Sequence, residues 1–514
     1  MLSKVKSFGL LGIDGFLVDV ETDIVNGLPS LNVVGLGDTT VKEAKERIRC
    51  AIINSGYKFS NKKITINLAP ADVKKEGAVY DLAMALGILG STEENIKNAL
   101  DKEKNKETII IGELSLDGGV KRIKGVLPIL ISARKLGFKR FIIPRENLVE
   151  ASFIEGIDVF GVATLSEAID FVLERKNILP IETTAYEDVV SSTPTGLDFC
   201  YVKGQAKAKR ALEIAAAGGH NVLMIGPPGS GKSMLAKCFP SILPDMTFEE
   251  ALEVTKIHSI AGELDYKKGI VTQRPFRTPH HTASTVSLTG GGTFSKPGEI
   301  SLAHNGVLYL DEFPEYARHT IETLRQPLED GVITVARSAL TVTYPASFTL
   351  IASMNPCPCG NYGSKDRECK CSPSQIHKYL AKISGPIMDR IDIHIEVDNV
   401  TFDDLRSETK EECSKDIKAR VDKARKIQLN RFKSSKNYCN AKMSVPATKK
   451  YCTLSSDCEA LLRLAFERLK LSARAHDRII KVARTIADLE GQEEILPEHI
   501  AEAISYRSLD RKYL

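Results

Sequence analysis

Short apolar runs alternate with helix-spaced apolar positions in the first third of the chain. Three apolar runs predict strands, namely ITINLAP (64–70), TIIIGEL (108–114) and RFIIP (140–144). Helical spacing at 41–54 and 81–90 predicts helices between such strands. The pattern therefore predicts a mixed α/β domain over 1–180, followed by a linker at 181–197 that is rich in polar turn formers.

The pattern changes twice after this linker. Over 198–400, strand-like and helix-like segments alternate, which favours βαβ units on a parallel sheet. Over 401–514 the apolar positions are spaced as in helices, at 416–431, 457–470, 474–490 and 497–506. The fold class predicted from these patterns is α/β, with a parallel-sheet core and a C-terminal helical region.

Composition narrows the class of protein. The chain has 514 residues, 43% of them hydrophobic and 26% charged, which is the balance of a folded multidomain protein. Its net charge of +4 is small, so a nucleic-acid partner would need a local basic patch. No signal-peptide pattern or apolar run of about 18 residues is present. We therefore expect a cytoplasmic protein without a membrane partner, whose 11 cysteines are reduced or bind metal.

The strongest chemical motif is a glycine-rich loop between an apolar run and a helical pattern. Residues 226–233, GPPGSGKS, match the pattern G-x-x-x-x-G-K-[ST]. Backbone N–H groups of such a loop wrap phosphate oxygens, Lys232 meets the β- and γ-phosphates, and Ser233 holds Mg²⁺. The predicted ATP-binding residues are Gly226, Pro227, Pro228, Gly229, Ser230, Gly231, Lys232, Ser233 and Met234.

Two later strands end in polar residues that suit the same chemistry. The segment GVLYLDE ends in Asp311, which would complete the Mg²⁺ site, and Glu312, which would polarise the attacking water. The segment SFTLIASMNP ends at Asn355, whose amide can position that water. The alternative for Asn355 is a turn former before Pro356. Together these motifs predict an ATP- and Mg²⁺-dependent enzyme.

Four cysteines lie in a stretch of fifteen residues that begins two residues after Asn355, namely Cys357, Cys359, Cys369 and Cys371. Four thiolates in one loop can make a tetrahedral Zn²⁺ site. Such a site would be structural, because four protein ligands leave no open position. The alternative is a set of reduced cysteines without metal.

Longer segments carry a resemblance to a known family. They are RPFRTPHHTAS (274–284), PGEISLAHNGVLYLDEFPE (297–315), LRQPLEDG (324–331), NPCPCG (355–360), SGPIMDRIDIHIEV (384–397) and SARAHDRIIKVARTIADLE (472–490). The chain resembles magnesium-chelatase-like AAA+ ATPases, and in particular the ComM/YifB family, over essentially its whole length. The resemblance implies an AAA+ core at 198–400, a helical lid at 401–514 and a homohexameric ring with ATP between subunits.

The resemblance also implies roles for residues outside the phosphate loop. Arg390 would contact the γ-phosphate of ATP bound to the neighbouring subunit. The alternative is an ion pair of Arg390 with Asp389 or Asp392. Arg474 would contact the ATP of its own subunit, with Arg478 as the second choice. Two residues that would line the adenine pocket are Val202 and Gln205.

Two inserted segments are implied to face the ring pore. The stretch 271–298 is similar to the helix-2 insert of this clade, and it contains Lys296 and the pair His280–His281, whose role stays open. The runs VITVA (332–336) and LTVTY (340–344) predict a hairpin with Arg337 at its tip. We expect Lys296 and Arg337 to contact DNA, although a solvated hairpin charge is the alternative for Arg337.

The first domain resembles the Lon-type peptidase fold but lacks its catalytic residues. The stretch 75–81 contains no serine, and 124–129 has apolar residues where that domain places its lysine. Without nucleophile and base there is no covalent route to peptide cleavage. We therefore expect a non-catalytic platform for assembly or DNA binding.

The family resemblance favours an ATP-dependent hexameric DNA motor. More narrowly, it implies a helicase that promotes branch migration in recombination or natural transformation, acting on single-stranded or branched DNA. Two alternatives remain open at the level of sequence. One is a chelatase-type motor that remodels a protein partner, and the other is an ATP-gated DNA-binding scaffold without translocation.

Overall fold

The chain divides into two compact units. The computed structural model describes residues 2–190, 197–292, 296–337, 340–363, 367–400, 406, 411–433, 439–469 and 471–507. The first unit comprises Met1–Ser191 and Phe248–Thr272, and the second comprises Ser192–Thr247 and Gln273–Leu514. Within the described part of the chain, no helix combines the length and apolarity that a membrane span requires.

A seven-stranded mixed sheet forms the centre of the first unit. Its strands lie in the order Ser30–Val34, Lys63–Ala69, Asp14–Val25, Ser3–Leu11, Thr108–Ile110, Arg140–Pro144 and Asp158–Val162. A small hairpin pairs Glu113–Leu114 with Val120–Lys121. The helices are Thr39–Asn54, Asp81–Thr92, Glu94–Leu100, Glu103–Lys106, Val126–Lys135, Leu148–Ala151, Leu165–Val172, Tyr186–Val189 and Phe248–Ala261. The mixed α/β fold predicted for this region is thus confirmed.

The helix Phe248–Ala261 belongs to the first unit, although the sequence pattern assigned it to the segment 198–400. Its Ser259 hydroxyl accepts a hydrogen bond from the Gly125 N–H at 3.1 Å and donates to Glu150 Oε2 at 3.2 Å. Leu252 packs against the apolar core of the unit. These contacts explain why the helix belongs to the first unit, although the residues just before it in the chain belong to the second.

A five-stranded parallel sheet forms the centre of the second unit. Its strands lie in the order Phe276–Arg277, Val307–Leu310, Thr349–Met354, Val222–Ile225 and Ile393–Glu396. Every residue of Val222–Ile225 and Val307–Leu310 is buried, which explains their continuous apolar sequences. Because all neighbours in this sheet run parallel, the carboxyl ends of the strands meet at one edge.

The helices of the second unit lie before, between and after these strands in the chain. They are Ala206–Gly218, Lys232–Cys238, Thr285–Thr289, Glu299–Leu302, Arg318–Glu322, Arg325–Asp330, Pro373–Leu380, Gly385–Met388, Ser414–Arg431, Val445–Tyr451, Ser456–Leu469, Ala473–Glu490 and Pro497–Ser505. The four helices predicted at the C-terminal end are confirmed, with ends that differ by two residues or fewer. The α/β class with a C-terminal helical region is therefore confirmed.

Two hairpins project from the second unit. One pairs Gly290–Gly291 with Lys296–Pro297, inside the segment predicted as an insert. The other pairs Val332–Arg337 with Leu340–Pro345, so the strand extends through Arg337, which pairs with Leu340. The sequence placed Arg337 in the turn, but the register makes it the last residue of its strand. Its side chain and residues 338–339 lie outside the described residues.

Candidate nucleotide-binding site

The glycine-rich loop joins the buried strand Val222–Ile225 to the helix that begins at Lys232. A Cβ on Gly226 would lie 2.2 Å from the carbonyl oxygen of Val397, so the strand end leaves room only for glycine. Gly229 and Gly231 have φ angles of 83° and 91°, which side chains disfavour. The loop therefore follows a path that favours glycine at these positions and ends at the N-terminus of the helix, where phosphate groups bind favourably.

The Lys232 side chain is buried against the loop. Its Nζ donates to the carbonyl oxygens of Gly226 at 2.8 Å and Pro227 at 2.7 Å. Burial lowers the Lys232 pKa to about 8, although the nearby Asp311 charge opposes this shift. A phosphate would offer this ammonium a charged acceptor, which is stronger than two neutral carbonyls.

Ser233 and Asp311 meet at the edge of the sheet. The Ser233 hydroxyl donates to Asp311 Oδ2 at 2.9 Å, and Ser353 donates to Oδ1 of the same carboxylate. Burial disfavours the charged form of Asp311, but hydrogen bonds from Ser353, Ser233 and Tyr309 hold its pKa below the usual value. A hydroxyl beside an ionised carboxylate is a donor set that fits Mg²⁺.

Glu312, the residue after Asp311, has a strained backbone conformation. Its φ of 51° is unusual for a residue with a side chain, and such strain is often found at functional sites. Its side chain is 56% exposed, and its Oε2 lies 3.3 Å from Nδ1 of His281. The sequence left the role of His281 open, and the structure places it beside the candidate catalytic carboxylate.

Asn355 comes directly after the strand Thr349–Met354. The Met354 carbonyl accepts a hydrogen bond of 3.2 Å from the Gly226 N–H, which ties this strand end to the start of the phosphate loop. Asn355 is half-buried and leaves the sheet at the same edge as Glu312. The sheet therefore brings together the predicted phosphate, Mg²⁺ and water-positioning residues.

A cavity of about 590 Å³ opens beside the loop. Among the residues predicted for nucleotide binding, Val202, Gln205, Pro227, Pro228, Gly229, Ser230, Gly231 and Met234 line it. Gln205 has a φ of 59°, and its amide donates to the Asp398 carbonyl at 2.6 Å. The sequence analysis did not anticipate the further lining residues Tyr201, Lys203, Asn361, Arg367, Asn399 and Val400.

Arg390 is buried, and its guanidinium is engaged within its own chain. It pairs with Glu329 and donates to the Pro386 carbonyl at 2.7 Å. The sequence alternative named Asp389 or Asp392 as its partner, and the structure gives Glu329 instead. For Arg390 to contact a neighbouring subunit, its ion pair with Glu329 would first have to break.

The two arginines at the start of the helix Ala473–Glu490 differ in environment. Arg474 is 57% exposed, and its nearest charged contact is Asp389 at 3.8 Å. Arg478 lies 2.9 Å from the fully buried Asp392, whose pKa stays low because Arg478 and His220 outweigh the effect of its burial. Arg474 is therefore the more available of the two.

The four clustered cysteines converge, with their four sulfur atoms within 4.8 Å of one another. The Sγ–Sγ separation is 3.4 Å for Cys357–Cys359 and 3.7 Å for both Cys357–Cys369 and Cys359–Cys369. The edge of a tetrahedron with Zn–S bonds of about 2.3 Å is about 3.8 Å. N–H groups of Asn361 and Lys370 bond to Cys359 and lower the pKa of its thiol to about 6. The cluster therefore fits a zinc ion.

The candidate DNA contacts lie on the two hairpins. The Lys296 side chain is exposed, opposite Gly291 in its hairpin. Two arginines of the helix Ser414–Arg431 are paired within the protein, Arg420 with Glu213 at 2.5 Å and Arg431 with Asp488 at 2.5 Å, and are not candidates for this contact.

Comparisons with protein families cover both units. Models described as magnesium chelatase subunit ChlI, subunit ChlI of Mg-chelatase and the ChlI C-terminal region match residues 198–405, 20–147 and 411–507. The match therefore extends well beyond the nucleotide-binding residues.

Individual relatives align over nearly the full chain. The competence protein ComM of Haemophilus influenzae is 42% identical over 515 residues, covering 99% of this chain and 98% of that protein. The uncharacterized protein YifB of Escherichia coli is 43% identical over 513 residues, with the same coverage. The magnesium-chelatase subunit ChlI of Mesostigma viride is 23% identical over 335 residues, which is 60% of this chain and 85% of that protein.

Proposed function

Because the chain belongs to the ComM/YifB family of magnesium-chelatase-like AAA+ proteins, we propose that it is an ATP-hydrolysing motor that acts on DNA. In this proposal the motor is a hexameric ring, and it works as a helicase that promotes branch migration during recombination or transformation. The observation that carries the proposal is the meeting of the phosphate loop, the Ser233–Asp311 pair and Glu312 at one edge of a parallel sheet.

Each residue of the site has a distinct task in hydrolysis. Lys232 and the loop N–H groups hold the phosphates of ATP. Ser233 and Asp311 would hold Mg²⁺, which when bound neutralises charge on the β- and γ-phosphates. Glu312 polarises the attacking water, and Asn355 orients it. The strained backbone at Glu312 fixes the direction in which its carboxylate leaves the sheet.

The DNA part of the proposal rests on the hairpins and on the similarity to a competence protein. A ring of hairpins would present one Arg337 per subunit to a phosphate backbone. The hairpin Val332–Arg337 with Leu340–Pro345 lies in sequence between Glu312 and the strand Thr349–Met354. A change at the ATP site can thus reach the hairpin through a short stretch of chain.

Arg337→Ala is expected to keep basal ATP hydrolysis and ring assembly but to lose DNA stimulation and branch migration, because one phosphate contact per subunit disappears. Turnover with and without branched DNA, measured together with strand movement, tests this. Arg325→Ala, which removes an exposed arginine paired with Glu322, is the control. If Arg337→Ala moves DNA strands at the wild-type rate, the protein contacts DNA through other residues.

Arg390→Ala is expected to bind ATP but not hydrolyse it, because the γ-phosphate loses its contact from the neighbouring subunit. Mixing this variant with Glu312→Gln should restore part of the ATPase rate. Some interfaces then join an intact Arg390 of one subunit to an intact Glu312 of the next. If the mixtures hydrolyse ATP no faster than either variant alone, Arg390 has no role across the subunit interface.

Purified protein is expected to carry about one zinc per chain on the four clustered cysteines, because their sulfur atoms already stand near tetrahedral separations. Elemental analysis after purification without chelators measures this. Cys50→Ser removes a cysteine outside the cluster and should leave the zinc content unchanged. Metal-free wild-type protein would refute the site.

A further inference from the structure

We propose that the cysteine loop, whose described residues are 357–363 and 367–371, is a metal-dependent wall of the nucleotide cavity and that Arg367 on it binds the nucleotide. This proposal rests on the proposed ATP site and adds to it a ligand-binding residue and a means of control. The loop begins two residues after the candidate water-positioning Asn355. Three contacts join it to the nucleotide-binding residues.

The first contact is between the backbone of Gly360 and the ring of Pro228, which lie too close together for a side chain at position 360. A Cβ on Gly360 would lie 2.5 Å from Cδ of Pro228 in the phosphate loop. Gly360 also has a φ of 80°, and its N–H donates to the Cys357 carbonyl at 2.9 Å. The turn at Cys357–Gly360 therefore packs directly against the phosphate loop.

The second contact links a predicted metal ligand to the cavity through two adjacent residues. The backbone N–H of Tyr362 donates to the sulfur of Cys357 at 3.3 Å. Its neighbour Asn361 lines the cavity, together with Pro228 and Gly229 of the phosphate loop. A metal that fixes the Cys357 sulfur thus restrains the backbone beside a cavity-lining residue.

The third contact brings a cation to the cavity. Arg367 is exposed and lines the cavity two residues before Cys369. Among the described lining residues, the cationic side chains are Arg367 and Lys203. A guanidinium suits phosphate oxygens because its planar donors bond to two of them at once.

These contacts imply a role for the metal in affinity. Four thiolates held by one ion would cross-link the two ends of this loop and restrict its motion. Without that cross-link, binding the nucleotide would also have to order the loop, which weakens binding. Metal loading therefore pre-organises the cavity wall and raises affinity for nucleoside triphosphate.

The test measures binding directly, without turnover. Full-length protein is titrated with a fluorescent ATP analogue in excess Mg²⁺, and its zinc content is measured in parallel. Arg367→Ala should bind the analogue about tenfold or more weakly and keep its zinc, because one charged contact is lost. Lys370→Ala removes a positive charge from the same loop outside the cavity, and should bind like wild type.

The double variant Cys369→Ser/Cys371→Ser should lose its zinc and bind the analogue at least as weakly as Arg367→Ala. The proposal requires weaker binding of the analogue in both variants. Wild-type affinity in either folded variant therefore overturns it. Circular dichroism establishes folding first, and if the double variant is unfolded, Arg367→Ala decides alone. Wild-type protein that binds no analogue would refute the proposed ATP site itself, which separates that failure from a failure of the loop.

Discussion

Lys232→Ala is expected to weaken ATP binding at least ~100-fold, because it removes two or more charged hydrogen bonds to phosphate that are each worth about 1.5–3 kcal/mol. The buried Lys232 ammonium already sits against the Gly226 and Pro227 carbonyls, at the turn where the phosphates are expected. Its truncation leaves the loop without this cation. Titration with a fluorescent ATP analogue measures the change.

Lys237→Ala is the matched control for this variant. Lys237 is exposed on the same helix, Lys232–Cys238, and carries the same charge. It should bind ATP with wild-type affinity and melt at a similar temperature. Equal affinity in wild type and Lys232→Ala would remove the basis for the phosphate-loop assignment.

Glu312→Gln is expected to bind ATP with wild-type affinity but to hydrolyse it about 10²–10⁴-fold more slowly, which is the usual contribution of a general base. The amide keeps the size of the side chain, and the Ser233–Asp311 pair is untouched. ATP should therefore stay bound rather than turn over. Single-turnover hydrolysis and retention of labelled ATP on the protein measure the two effects.

Glu315→Gln serves as the control in the same segment. Its carboxylate is exposed and pairs with Lys382 at 3.1 Å, away from the phosphate loop. This variant should hydrolyse ATP at the wild-type rate. Undiminished turnover in Glu312→Gln would mean that another residue activates the water, and His281 would then be the first to examine because it lies beside Glu312.

Local sequence patterns were sufficient where one short segment carries the whole signal. The strand Val222–Ile225, the glycine turn and the following helix are adjacent in the chain, so composition and spacing define them together. The helix Ala473–Glu490 was predicted to within one residue because its apolar face is continuous. The candidate catalytic residues follow strands, and parallel strands bring such residues to one edge.

Tertiary contacts could not be predicted from those patterns. Arg367 lines the cavity because the cysteine loop returns to Pro228, more than a hundred residues earlier in the chain. The pairing of Arg390 with Glu329 joins the turn after the helix Gly385–Met388 to the helix Arg325–Asp330, and no local spacing reveals this contact. The helix Phe248–Ala261 joins the first unit through Ser259, a residue with no distinctive sequence signal.

The ATPase rate of the wild-type protein, measured at one salt concentration with no DNA, with single-stranded DNA and with a branched junction, decides whether the protein is a DNA motor. We predict Mg²⁺-dependent hydrolysis that rises on adding DNA and rises most with the junction, and that Lys232→Ala shows none of it. Hydrolysis that is unchanged by either DNA would contradict a DNA motor and favour a chelatase-type motor that acts on a protein. Absence of hydrolysis under all three conditions would contradict the ATPase assignment.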